Sequence, residues 1–206
     1  QNGNKFSTGF LGTKHVMLVL ATYGYDDLAY RLFKQTEYPS WGYSVVNGST
    51  SIWERWNSYT KNPDKNSQLN MAMNSFSHYA FGSVTEWMFI YGLGIDSEGA
   101  GFRKITIKPS VSDEMKFMKG SYESINGTIA SAWELKGKKL DLQVEIPVNT
   151  TARIHIPTSK SASVKENGKP VSKVPGIKIV DANDHETILE VGSGQYEFSA
   201  LKNQEK

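Results

Sequence analysis

In the stretch SIWERWNS, residues 51–58, Glu54 and Arg55 stand between Trp53 and Trp56. A carboxylate resists burial unless it is paired, whereas an aromatic ring gains by leaving water. An acid framed by two indoles suits a polyhydroxylated ring. The flat C–H face can lie on an aromatic, and the carboxylate can hold a hydroxyl or take a proton from water. In that role Glu54 is a general base or nucleophile for glycoside hydrolysis. The same residues also fit an ordinary strand or turn in which Glu54 pairs with Arg55 or Lys61, an exposed contact contributing about 1 kcal/mol or less. The local sequence supports both readings.

The four histidines are scattered. His78 follows Asn74 and Ser75 and precedes Tyr79, a polar cluster at an expected helix start, where ligands are often held. A purely structural role fits it too. His15 lies inside an apolar helical pattern, which points to a hydrogen-bonded core or interface histidine. His155 alternates with Ile154 and Ile156, which points to a solvent-facing strand position. No HExxH, GxSxG, phosphate-binding loop or GxGxxG occurs, so the common protease, lipase and nucleotide signatures are missing, and no metal set or cofactor is called for.

The elements that must carry these residues fall into two groups. Trp41, Trp53, Trp56 and Trp87, four of the five tryptophans, precede residue 95, and the rest of the chain is rich in Lys, Val, Thr and Ile. The glycine-rich, acidic stretch GLGIDSEGAGF, residues 92–102, marks the boundary, giving units 1–95 and 96–206. In the first, GTKHVMLVLATYG reads as a helix stopped at Gly24, and DDLAYRLFKQ as a helix with acids first and Lys34 last. Asn47–Gly48 lies between two β-prone runs and signals a hairpin. MNSFSHYAFGSVTEWMFIYGLG returns to a buried helix that Ser75 could cap. The second unit reads as an antiparallel sandwich of short alternating strands, with turns at Asn126–Gly127 and Asn167–Gly168.

Bulk composition excludes several classes. Twenty-three Lys and Arg against 21 Asp and Glu give a net charge of +2 over 206 residues with no basic cluster, which argues against a nucleic-acid surface. There is no cysteine and hence no disulfide framework or thiolate metal site. No apolar run approaches the ~20 residues of a membrane helix, so no membrane partner is expected. The opening QNGNKFSTGF has neither the basic nor the apolar region of an export signal.

Three blocks, STGFLGT, YPSWGYSVVNGSTSIWERW and MNSFSHYAFGSVTEWMFIYGLGI, together resemble the C-terminal part of the bacterial α-L-rhamnosidases of glycoside hydrolase family 78. The likeness continues through GFRKITIKPSV, SYESINGTIASAWEL and LQVEIPVNTTARIHIPT and covers nearly the whole chain in order. The resemblance implies an (α/α)6 catalytic barrel, of which residues 1–95 are the last helices, followed by a β-sandwich domain. It also implies inversion at the anomeric centre and a rhamnose-containing glycoside or polysaccharide as substrate. The compartment is not fixed by the sequence; a periplasmic or extracellular setting is expected over a cytoplasmic one. Matched residue by residue, Glu54 is the general base and His78 lines the sugar subsite, with Trp53 or Trp56 shaping the apolar wall.

One departure stands out. Inversion needs a second carboxyl group about 6.5–9.5 Å from the base to protonate the leaving oxygen. In the family that acid belongs to an Arg- and Glu-containing motif upstream of WERW. Nothing in residues 1–53 resembles it, and Asp26, Asp27 and Glu37 have ordinary helix-end contexts. The sequence therefore leads to a chain that carries the base without the acid, needs the upstream catalytic half, is inactive alone and self-associates through exposed apolar helix faces. Two alternatives remain: an (α/α)6 glycosidase for another sugar, and a carbohydrate-binding sandwich using Trp133 as a platform. Against the latter, Trp133 shares its alternation phase with Ile129 and Ser131, which points inward.

Overall fold

A computed structural model describes residues 5–60, 68–69 and 73–203. The chain divides into two units, 1–87 and 88–206. The fold is α plus β, with helices first and β-sheets after.

In the first unit, α1 spans Phe10–Thr22 and α2 spans Asp26–Lys34. Helix α1 ends where Gly24 takes φ +76°, with Gly24 N–H donating to Ala21 and Tyr25 N–H to Leu20. These two bonds satisfy terminal carbonyls that a residue with a side chain could satisfy only at a steric cost. Its buried stripe is Thr13, Met17 and Ala21, one face at a spacing of four. His15 lies two residues off that stripe and is exposed, so of the core and interface readings the core one fails. Leu11 and Val19 are exposed as well, at 87% and 51%. Helix α2 carries Asp26 and Asp27 in its first turn and Arg31 and Lys34 in its last, as its dipole favours.

Asn47–Gly48 does not form the expected hairpin. It closes a third helix, α3 (Trp41–Val46), whose first turn is capped by the buried Ser40 accepting from Tyr43 N–H at 2.9 Å. Gly48, at φ +84°, gives its N–H to Val45 while Ser49 gives its own to Ser44, the same terminal motif as at Gly24. A two-stranded antiparallel pair, β1 (Tyr59–Thr60) with β2 (Gln68–Leu69), lies downstream instead. The long helix expected from Ser75 is also shorter. The unit closes with a 3₁₀ turn over Ala80–Ser83 and a single α-turn, α4 (Val84–Trp87). Ser75 forms a local turn with Ser77 rather than a helix cap.

The second unit opens with a π turn, Met88–Gly92, and then holds two sheets. The six-stranded sheet has the order β10 (Lys169–Pro170), β9 (Lys165–Glu166), β13 (Gly194–Leu201), β7 (Lys139–Ile146), β6 (Gly127–Lys136) and β5 (Phe117–Ser124). The five-stranded sheet has the order β11 (Lys178–Ala182), β12 (Thr187–Val191), β8 (Thr151–Ile156), β4 (Lys104–Ile107) and β3 (Ile95–Ser97). All pairs are antiparallel except β4 with β8. Alternation sends Leu140, Leu142, Val144 and Ile146 of β7 inward, and likewise Ile154 and Ile156 of β8. Asn167 and Gly168, both at positive φ, make the tight β9–β10 turn that this dipeptide favours.

Trp133 is 2% exposed and donates its indole N–H to the Gly92 carbonyl at 2.8 Å, while its neighbour Ser131 donates to Leu93 at 2.7 Å. It is a core residue that anchors the chain entering β3, not a sugar platform.

Candidate functional site

The WERW and SFSHY segments lie side by side in the first unit. Glu54 N–H donates to the Ser75 carbonyl at 2.9 Å, and His78 N–H donates to the Ile52 carbonyl at 2.7 Å. A third tie joins the Ser51 hydroxyl to the Phe76 carbonyl. These bonds explain why residues 75–78 are not helical: their backbone groups are committed to a neighbouring segment.

The turn after Glu54 is closed by Ser58, which is fully buried. Its hydroxyl accepts from Arg55 N–H at 3.2 Å and lies 2.7 Å from Asn74 Oδ1 and 2.9 Å from the Arg55 carbonyl. Residue 58 thus grips the turn from within and binds it to the strand of chain that leads to His78. Nothing in the sequence pattern singled it out, although an isolated serine after a WERW turn is a local capping signal.

Glu54 is half-buried. Among the described residues no side chain hydrogen-bonds its carboxylate and Arg55 forms no ion pair with it; Lys61 lies outside the described residues. The His78 ring stacks on Phe10 (4.9 Å between centroids, 12° between planes) and on Tyr79 (5.3 Å, 9°). Its Nδ1 accepts the Ala80 N–H at 3.3 Å. In the neutral ring that leaves the proton on Nε2, making this nitrogen a donor.

The two tryptophans serve different neighbours. Trp53 is buried and meets Phe76 and Tyr59 edge-on. Trp56 lies face to face with Phe81 (3.9 Å, 10°), stacks at longer range on Phe6, and donates its N–H to Thr8 at 3.0 Å. Both border a cleft of about 370 Å³ that also takes in Trp41, Val45, Ser51 and Ile52. Glu54 and His78 are not among its lining residues.

A second group of titratable side chains sits on the outer face of β8. His155 Nδ1 lies 3.0 Å from Glu186 Oε2, and Lys108 Nζ lies 3.1 Å from the same oxygen. His155 is therefore covered rather than solvent-facing: it points away from the core as its alternation requires, but Glu186 and Lys108 fold over it, leaving its side chain 15% exposed. Burial holds the imidazole below its ordinary value, against the pull of Glu186. For Glu186 burial acts upward, but the bonds from His155 and Lys108 outweigh it and hold the carboxyl low. No cluster of three or more His, Cys, Asp or Glu able to hold a metal occurs among the described residues.

Two family profiles match in chain order, the bacterial alpha-L-rhamnosidase 6 hairpin glycosidase domain over residues 1–91 and the bacterial alpha-L-rhamnosidase C-terminal domain over residues 94–170. The chain belongs to the bacterial α-L-rhamnosidases. An α-L-rhamnosidase of Formosa agariphila is 39% identical over 197 residues, covering 96% of this chain and 21% of its own length. A crystal structure of Streptomyces avermitilis α-L-rhamnosidase complexed with L-rhamnose superposes with a TM-score of 0.82 at 38% identity, over 96% of this chain and 18% of that one. The Dictyoglumus thermophilum α-L-rhamnosidase structure gives 0.81 at 30% identity, over 98% and 22%. The chain thus spans about a fifth of the length of the curated rhamnosidases it matches, and its two matched domains are those of the family's C-terminal region.

Proposed function

We propose that these residues form the C-terminal portion of an inverting α-L-rhamnosidase that releases terminal α-L-rhamnosyl groups from glycosides, with residues 1–95 closing the catalytic barrel and 96–206 forming the sandwich domain. Glu54 is the general base, His78 a sugar-binding donor, and Trp53 and Trp56 the apolar wall. The observation that carries this reading is the pair of backbone bonds, Glu54 to Ser75 and His78 to Ile52, which hold a half-buried carboxylate and a donor-competent imidazole on adjacent segments.

Glu54 takes a proton from a water as that water attacks the anomeric carbon, on the face opposite the leaving oxygen. The leaving oxygen must be protonated at the same time, and the acid that does so is proposed to lie in the remaining four-fifths of a protein of the relatives' length. His78, with its Nδ1 occupied by Ala80, offers Nε2–H to a ring hydroxyl. Its flat stacking on Phe10 and Tyr79 restricts ring rotation, so the donor direction is set before substrate arrives.

The test is Glu54→Gln in the complete enzyme with an aryl α-L-rhamnoside. Gln keeps the shape and loses the basicity, so kcat should fall by about 10²- to 10⁴-fold with the fold intact. A kcat close to that of the parent enzyme would remove Glu54 from the mechanism.

A further inference from the structure

The outer face of the six-stranded sheet in the second unit carries a trough made by register. Across four strands, Lys119, Ala132, Gln143 and Glu197 lie in one rung. The next rung is Ser121, Ala130, Glu145 and Gln195. Both rungs place alanine on β6, with longer polar side chains on β7 and β13 to one side and Lys119 and Ser121 of β5 to the other, so β6 is a floor with its higher wall on the β7 side. The resulting cavity of about 410 Å³ meets a second one of about 390 Å³, the two sharing Glu145 and Gln195. The second continues toward the strand ends past Thr128 and Val148. From Gln143 to Val148 the trough runs about 17 Å at the rise of a strand.

Its polar groups are open, whereas their neighbours on the same face are not. One rung beyond, Glu134 is paired with Lys136 at 2.8 Å and Asp141 with Lys139 at 2.8 Å. Among the described residues, the side chains of Lys119, Gln143, Glu145, Gln195 and Glu197 make no hydrogen bond or ion pair with one another or with other side chains. The walls therefore offer two carboxylates and two carboxamides against a single ammonium. That balance repels a polyanion, such as a nucleic acid or a uronate polymer. The apolar lining is Val144 and Tyr196 in the first part and Ile146, Pro147 and Val148 in the second; of these only Val148 is strongly exposed, so the trough has no broad apolar patch of the kind a protein partner needs at an interface core. An uncharged linear polyol chain fits: its hydroxyls donate to carboxylates and exchange donor and acceptor roles with amides, and an alanine floor lets its rings approach the sheet.

We propose that this trough is an accessory binding site for an uncharged linear oligosaccharide, separate from the Glu54 site and independent of its assignment. Binding is weak and extended, with a Kd of about 1 mM or tighter.

The experiment titrates the ¹⁵N-labelled 206-residue chain with cellotetraose, xylotetraose and mannotetraose, with polygalacturonate as the anionic control, and follows amide shifts. At least one neutral tetrasaccharide should shift the Gln143 and Gln195 side-chain amides and the β6 backbone. The combined Glu145→Ala and Glu197→Ala variant, and separately Ala130→Leu, which fills the floor while keeping every charge, should each weaken binding by about tenfold or more at unchanged melting temperature. Glu134→Ala, which removes an acid from the same face outside the trough, should leave it unchanged. The proposal is overturned by no shift with any of the three, by shifts confined to residues 1–87, by preference for polygalacturonate, by retained binding in both trough variants, or by equal weakening in Glu134→Ala.

Discussion

The hydroxyl of Ser58 lies 2.7 Å from Asn74 Oδ1, and neither the loop that carries Glu54 nor the one that leads to His78 has regular secondary structure to hold it. Precision at a site built on irregular chain must come from such cross-links. The two backbone bonds fix the segments' alignment, and Ser58 fixes the turn immediately after the acid. A shift of about 1 Å at a general base is enough to cost roughly 10²-fold in rate.

Replacing Ser58 with alanine removes the buried hydroxyl that accepts from the Arg55 N–H and lies against Asn74 Oδ1, at a cost of about 1–3 kcal/mol. If the hydroxyl acts through Glu54, kcat in the complete enzyme falls by about tenfold or more, while KM changes little. The same substitution made on top of Glu54→Gln should then have almost no further effect on rate. Equal losses in both backgrounds would make Ser58 a stabilising residue only.

His78→Ala removes a proposed donor and two stacking contacts that are themselves on exposed rings: Tyr79 is 87% exposed and Phe10 40%. Little stability is at stake, so melting should shift by no more than about 2–4 °C, the equivalent of roughly 1 kcal/mol. Rhamnose binding by the complete enzyme should weaken about tenfold, measured by calorimetry. A large melting shift with unchanged affinity would assign His78 to the fold.

What the sequence made legible, and what it hid, follows from where each side chain gets its partners. The sandwich strands were readable because burial on one face writes alternation into β6, β7 and β8. Strand β11 was not, since all five of its residues are exposed and no period is imposed. Asn167–Gly168 and Asn47–Gly48 are the same dipeptide; only the first turns a hairpin, because six helical residues behind Gly48 supply carbonyls for it to cap. Residues 75–78 look helical in composition, yet their backbone serves Ile52 and Glu54, a long-range demand that local pattern does not record. Glu54, His78, Trp53 and Trp56 were legible as candidates through aromatic context and family likeness, whereas Ser58 is one small polar residue whose importance appears only when its partners are seen.

The His155–Glu186–Lys108 group should make the second unit sensitive to acid. The folded imidazole titrates below the 6.5 of a free one, so its contribution is fully present above about pH 6.5 and is lost as pH falls through the folded value. Glu186 titrates below 4.5 when folded, so its contribution persists to lower pH and is lost there. Melting temperature should therefore fall in two stages between pH 7 and pH 3, with a slope set by how many protons the unfolded chain takes up in excess. His155→Gln should flatten the upper stage and also weaken the lower one, because it removes one of the two partners that hold Glu186 low. An unchanged profile would mean that another group controls acid sensitivity.

The isolated 206-residue chain should not hydrolyse rhamnosides. Inversion requires one group to activate water and another to protonate the leaving oxygen, and the described residues supply a convincing candidate only for the first. Asp26 and Asp27 lie in the first turn of α2, and Glu37 is tied to Lys5 at 2.7 Å, which lowers its titration and disfavours the protonated form an acid must have. Without proton donation an alkoxide must leave unassisted, which raises the barrier by several kcal/mol, and each ~1.4 kcal/mol is tenfold in rate. The exposed Leu11 and Val19 on α1 bear on the same experiment, since a bare apolar face draws chains together and could be mistaken for assembly of a working site. Leu11→Lys with Val19→Lys should shift light-scattering mass toward the monomer without altering the melting temperature. The assay is release of phenol from an aryl α-L-rhamnoside by parent, Glu54→Gln and Leu11→Lys/Val19→Lys chains. Turnover in the parent that vanishes with Glu54→Gln would overturn the expectation and require an acid within these residues.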